Sequence, residues 1–279
     1  MKSQMFEMLQ LGGDGIYSTT EFGSGQEQEL VLRKLVAERA PSDLIHEISI
    51  HHSFSVMDRE IKRFLQKLPQ GATILDVGGC WGWHWRNVSK VRPDIKVVIM
   101  DFVRENLEQS RYFLSDQINK NIFLVHGDGT KIPFEDQLFD GYWAVQTLQH
   151  IPVLENALTE AKRVLKPGGC FTMYNLNNPK AIRTLYKALK RKWVDQGVIE
   201  GMYFFRRSGK RDADLVEKVF GNVSPPRFTE VLFTPELNLH RPAKPDHWLG
   251  WLDARLSSSF WVWSLVARQC AYSAVNFRE

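Results

Sequence analysis

A chain of 279 residues in which 43% are hydrophobic can bury a sizeable core, and ~100–200 residues per typical domain make it one elaborated domain. The formal net charge is only +4, and the three cysteines, Cys80, Cys170 and Cys270, are odd in number and widely spaced, which argues against a disulfide framework and against a zinc site. The first ten residues lack the apolar stretch of a secretory leader, and the late apolar run FWVWSLVA is far shorter than the ~20 residues of a membrane span, so a cytoplasmic location is expected.

Residues 1–67 read as an N-terminal helical lid. Glu27–Glu38 has an amphipathic helical pattern, and Ser55 is placed to cap a second helix from Val56. Tyr17 is a candidate for the rim of a substrate site, and the pair His51-His52 reads as a solvated turn, with a general base as the alternative that histidine's near-neutral pKa leaves open. The next segment, 68–176, alternates strand and helix patterns as a doubly wound α/β core does. Ile74, Leu75 and Val77 form a buried strand that ends in Asp76-Val77-Gly78-Gly79-Cys80-Trp81-Gly82, where glycines allow a sharp turn and close approach to a ligand. Lys96–Met100 is a second strand ending in Asp101, 25 residues after Asp76 and able to accept both hydroxyls of a ribose. A helix pattern follows through Leu107, Arg111 and Leu114. A third strand, Ile122–His126, runs into Gly127-Asp128-Gly129, where Asp128 is either a turn-former or an acceptor for an adenine amino group. A fourth strand, Phe139–Val145, carries Gln146, Thr147, Gln149 and His150 at its tip. A helix over Val153–Leu165 and the turn Lys166-Pro167-Gly168-Gly169 lead into a fifth strand, Cys170–Asn175.

Strand-DVGxxxG, strand-Asp, the GD turn, FDGYWAVQTLQHI and RVLKPGG, in that order, resemble the class I S-adenosylmethionine-dependent methyltransferases, closely over Ile61–Asn175 and loosely over a last strand at Phe260–Arg268. The resemblance implies a Rossmann-like, mostly parallel seven-stranded sheet with the last strand antiparallel. It also implies S-adenosyl-L-methionine as cofactor, with Asp76, Gly78, Gly79 and Gly82 around its methionine part, Asp101 and Phe102 at the ribose, Gly127, Asp128 and Gly129 at the adenine, and Gln146 near the methionine end. The family loop D-x-G-x-G-x-G has Cys80 here at its middle glycine, which puts full cofactor affinity in question and keeps open a binding-only relative. Some quinone methyltransferases of this superfamily carry Glu-x-x-Glu-His at the tip of the fourth strand. Here Gln146 and Gln149 replace both carboxylates, which argues against a metal requirement. The Asn-Pro-Pro-Tyr type of motif found in nucleic-acid amino-methylating enzymes is absent there.

Trp81 is placed to meet the sulfonium through its indole face, while Trp83 and Trp85 read as packing residues. Trp248, Trp251, Trp261 and Trp263 read as core or interface residues. The insertion 177–211 is strongly basic: Lys180–Arg211 holds ten Lys or Arg against Asp195 and Glu200. Such a rim attracts an acidic substrate, a nucleic acid, an anionic lipid face or an acidic carrier, and Tyr203, Arg206 and Arg207 are its candidate contacts. Residues 212–279 complete the core. The expected activity is methyl transfer to a small or medium-sized acidic acceptor by in-line displacement, with His150 as candidate general base. An RNA-modifying enzyme using the basic patch ranks second, and a non-catalytic cofactor-binding module third. Oligomeric state is not legible.

Overall fold

The computed structural model describes residues 5–20, 43–199 and 203–277, so the segment Glu27–Glu38 lies outside the described residues. Strands follow in chain order as β1 (Gln10–Leu11), β2 (Ile16–Ser18), β3 (Thr73–Val77), β4 (Lys96–Asp101), β5 (Ile122–His126), β6 (Phe139–Val145), β7 (Leu165–Leu176), β8 (Gln196–Ile199), β9 (Tyr203–Arg206), β10 (Arg227–Thr229) and β11 (Gln269–Val275). Nine of them form one sheet in the order β1-β2-β5-β4-β3-β6-β7-β11-β10, and β8 pairs with β9 as a separate hairpin. Strands β5, β4, β3, β6 and β7 run parallel, and β11 runs antiparallel to both β7 and β10. These seven make the expected sheet. The two extra strands come from the N-terminal segment, where Ile16–Ser18 pairs in parallel with Leu124–His126 and buries Ile16 completely.

The central strands are largely apolar because helices cover both faces. On one face lies α2 (Phe54–Leu65), following α1 (Leu44–His51); α2 packs Phe64 at 5.0 Å from the Trp143 ring. Gly141 makes this approach feasible, since a Cβ there would sit 2.8 Å from the Phe64 ring. The short helices α3 (Val88–Val91), α4 (Arg104–Gln109) and α5 (Arg111–Leu114) contribute Val88, Leu107 and Leu114 to the same layer. The opposite face is covered by α6 (Leu154–Val164) and, beyond the exposed helix α7 (Lys180–Ala188), by α8 (Lys210–Phe220), through Leu158, Ala161, Val216 and Phe220. Each such leucine, valine or phenylalanine contributes roughly 1.5–3 kcal/mol by leaving water. The last helix is α9 (Trp248–Leu256), packed beside α2.

Three expectations need correction. The second helix starts at Phe54, not near Val56, with Ser53 at its N-cap; the Ser53 backbone N–H is held by Glu230 Oε1 at 2.7 Å, so a distant carboxylate performs the capping. Gln10–Leu11 and Ile16–Ser18 enter as a strand pair rather than as part of a helical cover, because sheet edge β5 offers β2 unpaired backbone groups. The last strand is Gln269–Val275, not Phe260–Arg268: Phe260 and Trp261 face solvent and Trp261–Leu265 closes into a 3-10 turn. Between β7 and β10 only a strand that tolerates burial on both faces fits, and the small Ala271 and Ala274 beside Cys270 and Tyr272 satisfy this where bulky indoles would not.

Candidate active site

Strand β3 ends in a loop whose shape depends on missing side chains. Gly78 has φ of 71°, and a Cβ on it would lie 2.1 Å from Thr147 Oγ1, so the loop backbone lies directly against the Thr147 side chain beyond β6, an approach that only glycine permits. Cys80, at the family's glycine position, also adopts a left-handed φ of 50°, and its N–H donates to Asp101 Oδ2 at 2.8 Å. A charge-assisted bond of this kind offsets the roughly 1–2 kcal/mol a left-handed non-glycine residue costs. Asp76 is 1% exposed and accepts the Trp85 indole N–H at 2.7 Å; burial, with Asp101 nearby, pushes its carboxyl up to about 7.

Beyond this loop, at the carboxyl ends of β3, β4, β5 and β6, opens a cavity of about 660 Å3. It lies beside the β3/β6 boundary where the strand order reverses, the usual place for ligands in open α/β sheets. Gly78, Gly79, Trp81, Asp101, Phe102, Gly127, Asp128, Gly129, Gln146, His150 and Arg207 all line it. Asp101 Oδ1 accepts from Val103 N–H at 2.9 Å, and Asp128 Oδ1 accepts from the N–H and hydroxyl of Thr130, both at 2.8 Å, so both carboxylates are held in fixed orientations. Trp81 lines the cavity, and its indole N–H is buried with no hydrogen-bond partner among the described residues.

Four expected site residues do not line the cavity. Asp76 sits behind the loop on Trp85, and Gly82 packs against Leu114 and Ile99. Tyr17 belongs to β2 and stacks on Phe6 at 4.2 Å between ring centres, because the N-terminal segment joined the sheet edge. Arg206 is 5% exposed and faces Asp212 at 3.4 Å, since alternation along β9 turns it to the opposite side from its neighbour Phe205, which lines the cavity. The Tyr203 side chain lies outside what the structure describes.

Cavity residues outside the expected set come from remote parts of the chain. His52 lines it rather than a solvated turn, 5.7 Å from the Trp83 ring, and burial lowers its pKa well below the ordinary histidine value. His84 stacks on Trp83 at 4.1 Å, has neither ring nitrogen hydrogen-bonded among the described residues, and is pushed down to about 3 by burial and by Arg86. Lys192 and Trp193 reach in from the insertion beside the expected Arg207, whose guanidinium lies 4.1 Å above the Trp193 ring. Arg268 enters just before β11, donating to Glu230 Oε2 at 2.9 Å and to the His51 carbonyl at 2.6 Å. The insertion's charge pointed to Lys192 and Arg207; nothing local marks His84 or Arg268.

His150 has both ring nitrogens engaged. Its Nδ1 lies 3.0 Å from the Phe204 carbonyl, which can only accept, so Nδ1 carries the proton. Gln149 fixes its amide by accepting the Leu176 N–H at 2.8 Å and turns its Nε2 to His150 Nε2 at 3.3 Å. This relay ties the β6 tip to the hairpin roof. Among the described residues no three His, Cys, Asp or Glu converge as a metal site.

A sheet of this order, with a glycine loop after β3 and acidic residues at the tips of β4 and β5, is that of the class I S-adenosylmethionine-dependent methyltransferases. Residues 75–173 match the family model described as a methyltransferase domain, and the chain carries this domain, whose cofactor is S-adenosylmethionine. A 2-methoxy-6-polyprenyl-1,4-benzoquinol methylase of Danio rerio is 31% identical over 143 residues, 50% of this chain and 42% of the relative. The chain spans less than half the length of the curated relatives it matches. Among solved structures, the [4+2]-cyclase SpnF superposes with a TM-score of 0.58 at 16% identity, covering 90% of this chain and 95% of its own. A methyltransferase of Thermotoga maritima, described as a possible histamine N-methyltransferase, superposes with a TM-score of 0.54 at 17% identity, covering 89% and 97%. At such identities the likeness is one of fold.

The residues present fit the cofactor. The cradle at Gly78 and Gly79 has no room for a Cβ, two fixed carboxylates face the cavity, and the Trp81 indole stands beside them.

Proposed function

We propose that the protein transfers a methyl group from S-adenosylmethionine to a small anionic acceptor, without a metal ion. The observation that carries this reading is the division of charge along the cavity. Asp101 and Asp128 stand at the β4 and β5 tips, while Lys192, Arg207 and Arg268 come from the β7 and β11 side, across the point where the strand order reverses. The acidic half suits a cationic nucleoside, and the basic half suits an anion.

In this reading Asp101 accepts the ribose hydroxyls, Asp128 meets the adenine, and the Gly78–Gly79 backbone surrounds the methionine part. The cofactor supplies an electrophilic methyl group on a positively charged sulfur. Lys192 and Arg207 draw in the acceptor and align it, and the hairpin roof with Trp193 and Phe205 excludes water. His52 and His84 are held neutral by burial, and a base as weak as His84 does not drive deprotonation. Cationic side chains instead favour the ionised form of the acceptor itself, so a phenolate or carboxylate arrives ready to attack. The benzoquinol in the Danio rerio relative's name is a phenol of this kind. His150 acts in this reading as a positioning residue.

Calorimetric titration with S-adenosylmethionine and S-adenosylhomocysteine, with NAD as control, tests the first half. Binding of NAD alone would sink the reading. Formation of S-adenosylhomocysteine against a panel of phenols, carboxylic acids and RNA tests the second. Arg207→Gln should raise KM for the acceptor about tenfold, the effect of one charged hydrogen bond, and leave the cofactor dissociation constant unchanged. Cofactor binding with no turnover on any acceptor would make the chain a binding module.

A further inference from the structure

We propose that α7 and the adjoining 3-10 turn Trp261–Leu265 form a docking surface for an anionic lipid bilayer at the mouth of the cavity. Helix α7 buries none of its residues, which is unusual for a helix of a folded core. Residues 180–192 hold Lys180, Arg183, Lys187, Lys190, Arg191 and Lys192 and no acidic residue. Within this run the structure gives one ion pair among the described residues, Arg183 with Asp195 at 3.7 Å, both about half exposed. Between the cations stand Leu185 and Leu189, one helical turn apart and 40% and 52% exposed. The next neighbour of α7 is the 3-10 turn, where Phe260 and Trp261 are 52% and 69% exposed. The Asn177 side chain fixes this junction by donating to the carbonyls of Ser264 and Ala267.

Single exposed apolar residues are ordinary; four large ones on two contacting elements, beside six cations with one ion pair among the described residues, are not. A basic helix that leaves leucines exposed, beside an indole at its edge, has the composition of an element lying in the headgroup region of a membrane. The cations meet anionic headgroups, while Leu185, Leu189, Phe260 and Trp261 enter the acyl boundary. A nucleic acid would use the same cations and leave the leucines without a partner, so lipid is the better fit. No helix among the described residues is long and apolar enough to cross a membrane, so the contact is peripheral. Tyr186, on the inner side of α7, and Lys192 at its end line the cavity, so a docked molecule would open toward the lipid phase. That last consequence, delivery of a lipid-dissolved acceptor, rests on the proposed methyl transfer; the docking surface does not.

Flotation of the full chain with vesicles of phosphatidylcholine alone, and of phosphatidylcholine mixed with phosphatidylglycerol, tests the proposal. Binding is expected to the mixed vesicles only, weakening as salt rises. Lys187→Gln combined with Lys190→Gln and Arg191→Gln should lower the partition coefficient on the order of a hundredfold, from about 1 kcal/mol per cation near an anionic surface. Leu185→Ser with Leu189→Ser and Trp261→Ser should lower it as well. Unchanged S-adenosylhomocysteine binding in each variant shows that the fold is intact. Absence of wild-type binding to mixed vesicles, binding that both variant sets leave intact, or capture of single-stranded RNA in place of vesicles would overturn the proposal. Vesicle binding without turnover would leave docking standing and count only against the methyl-transfer reading.

Discussion

The β4–β5 half of the cavity is built from backbone turns and the residues that flank them, whereas the β7–β11 half is assembled from side chains lying far apart in sequence. Asp101 is oriented by Val103 and Cys80, and Asp128 by Thr130, all within one short loop or across one neighbouring strand tip. Arg268, by contrast, is held by Glu230 and by the carbonyl of His51, which is 217 residues away. The first half therefore tolerates a local departure such as Cys80 as long as the turn is kept. The second half depends on buried ion pairs whose partners have no local substitute.

Three changes put that contrast to the test. The largest effect is expected for Arg268→Met, which leaves Glu230 buried at 0% exposure without its cation and should lower stability to urea by about 3–5 kcal/mol. Adding Glu230→Gln should restore much of the loss; if the single variant is as stable as wild type, the acceptor half does not rest on this pair.

Next comes the pH dependence of stability around Asp76. Its carboxyl is held up at about 7 in the folded chain against an ordinary value of 3.8, so between these values the folded state keeps a proton that the unfolded state has lost. Stability from this group is full below the lower value and falls as pH rises toward about 7, by no more than about 1.4 kcal/mol per pH unit for one proton. Asp76→Asn should flatten that slope in urea titrations while its amide oxygen still accepts the Trp85 bond. An unaltered slope would mean that Asp76 is ionised in the folded state throughout.

The smallest of the three is Asp101→Ala, expected to weaken cofactor binding by on the order of 1–3 kcal/mol through lost charge-assisted hydrogen bonds and a loosened Cys80 turn. An unchanged dissociation constant in calorimetry would separate Asp101 from the cofactor and erase the division of the cavity into two halves.

The amino-acid sequence by itself determined the doubly wound core, because buried parallel strands are short, largely apolar runs, and β3, β4 and β5 each lead into a glycine or an acid that local chemistry explains. Gly78, Asp101 and Asp128 were legible for that reason and Gln146 through the family resemblance, and all four line one cavity. Tertiary structure alone decided the last strand, which went to the small residues of Gln269–Val275 rather than to the aromatic run before it, because the place between β7 and β10 selects for size on both faces. It likewise decided that Tyr17 and Arg206 leave the site while His52, His84 and Arg268 enter it. Which way a polar side chain faces is set by the register of strands and by partners more than a hundred residues away, and no local pattern encodes those.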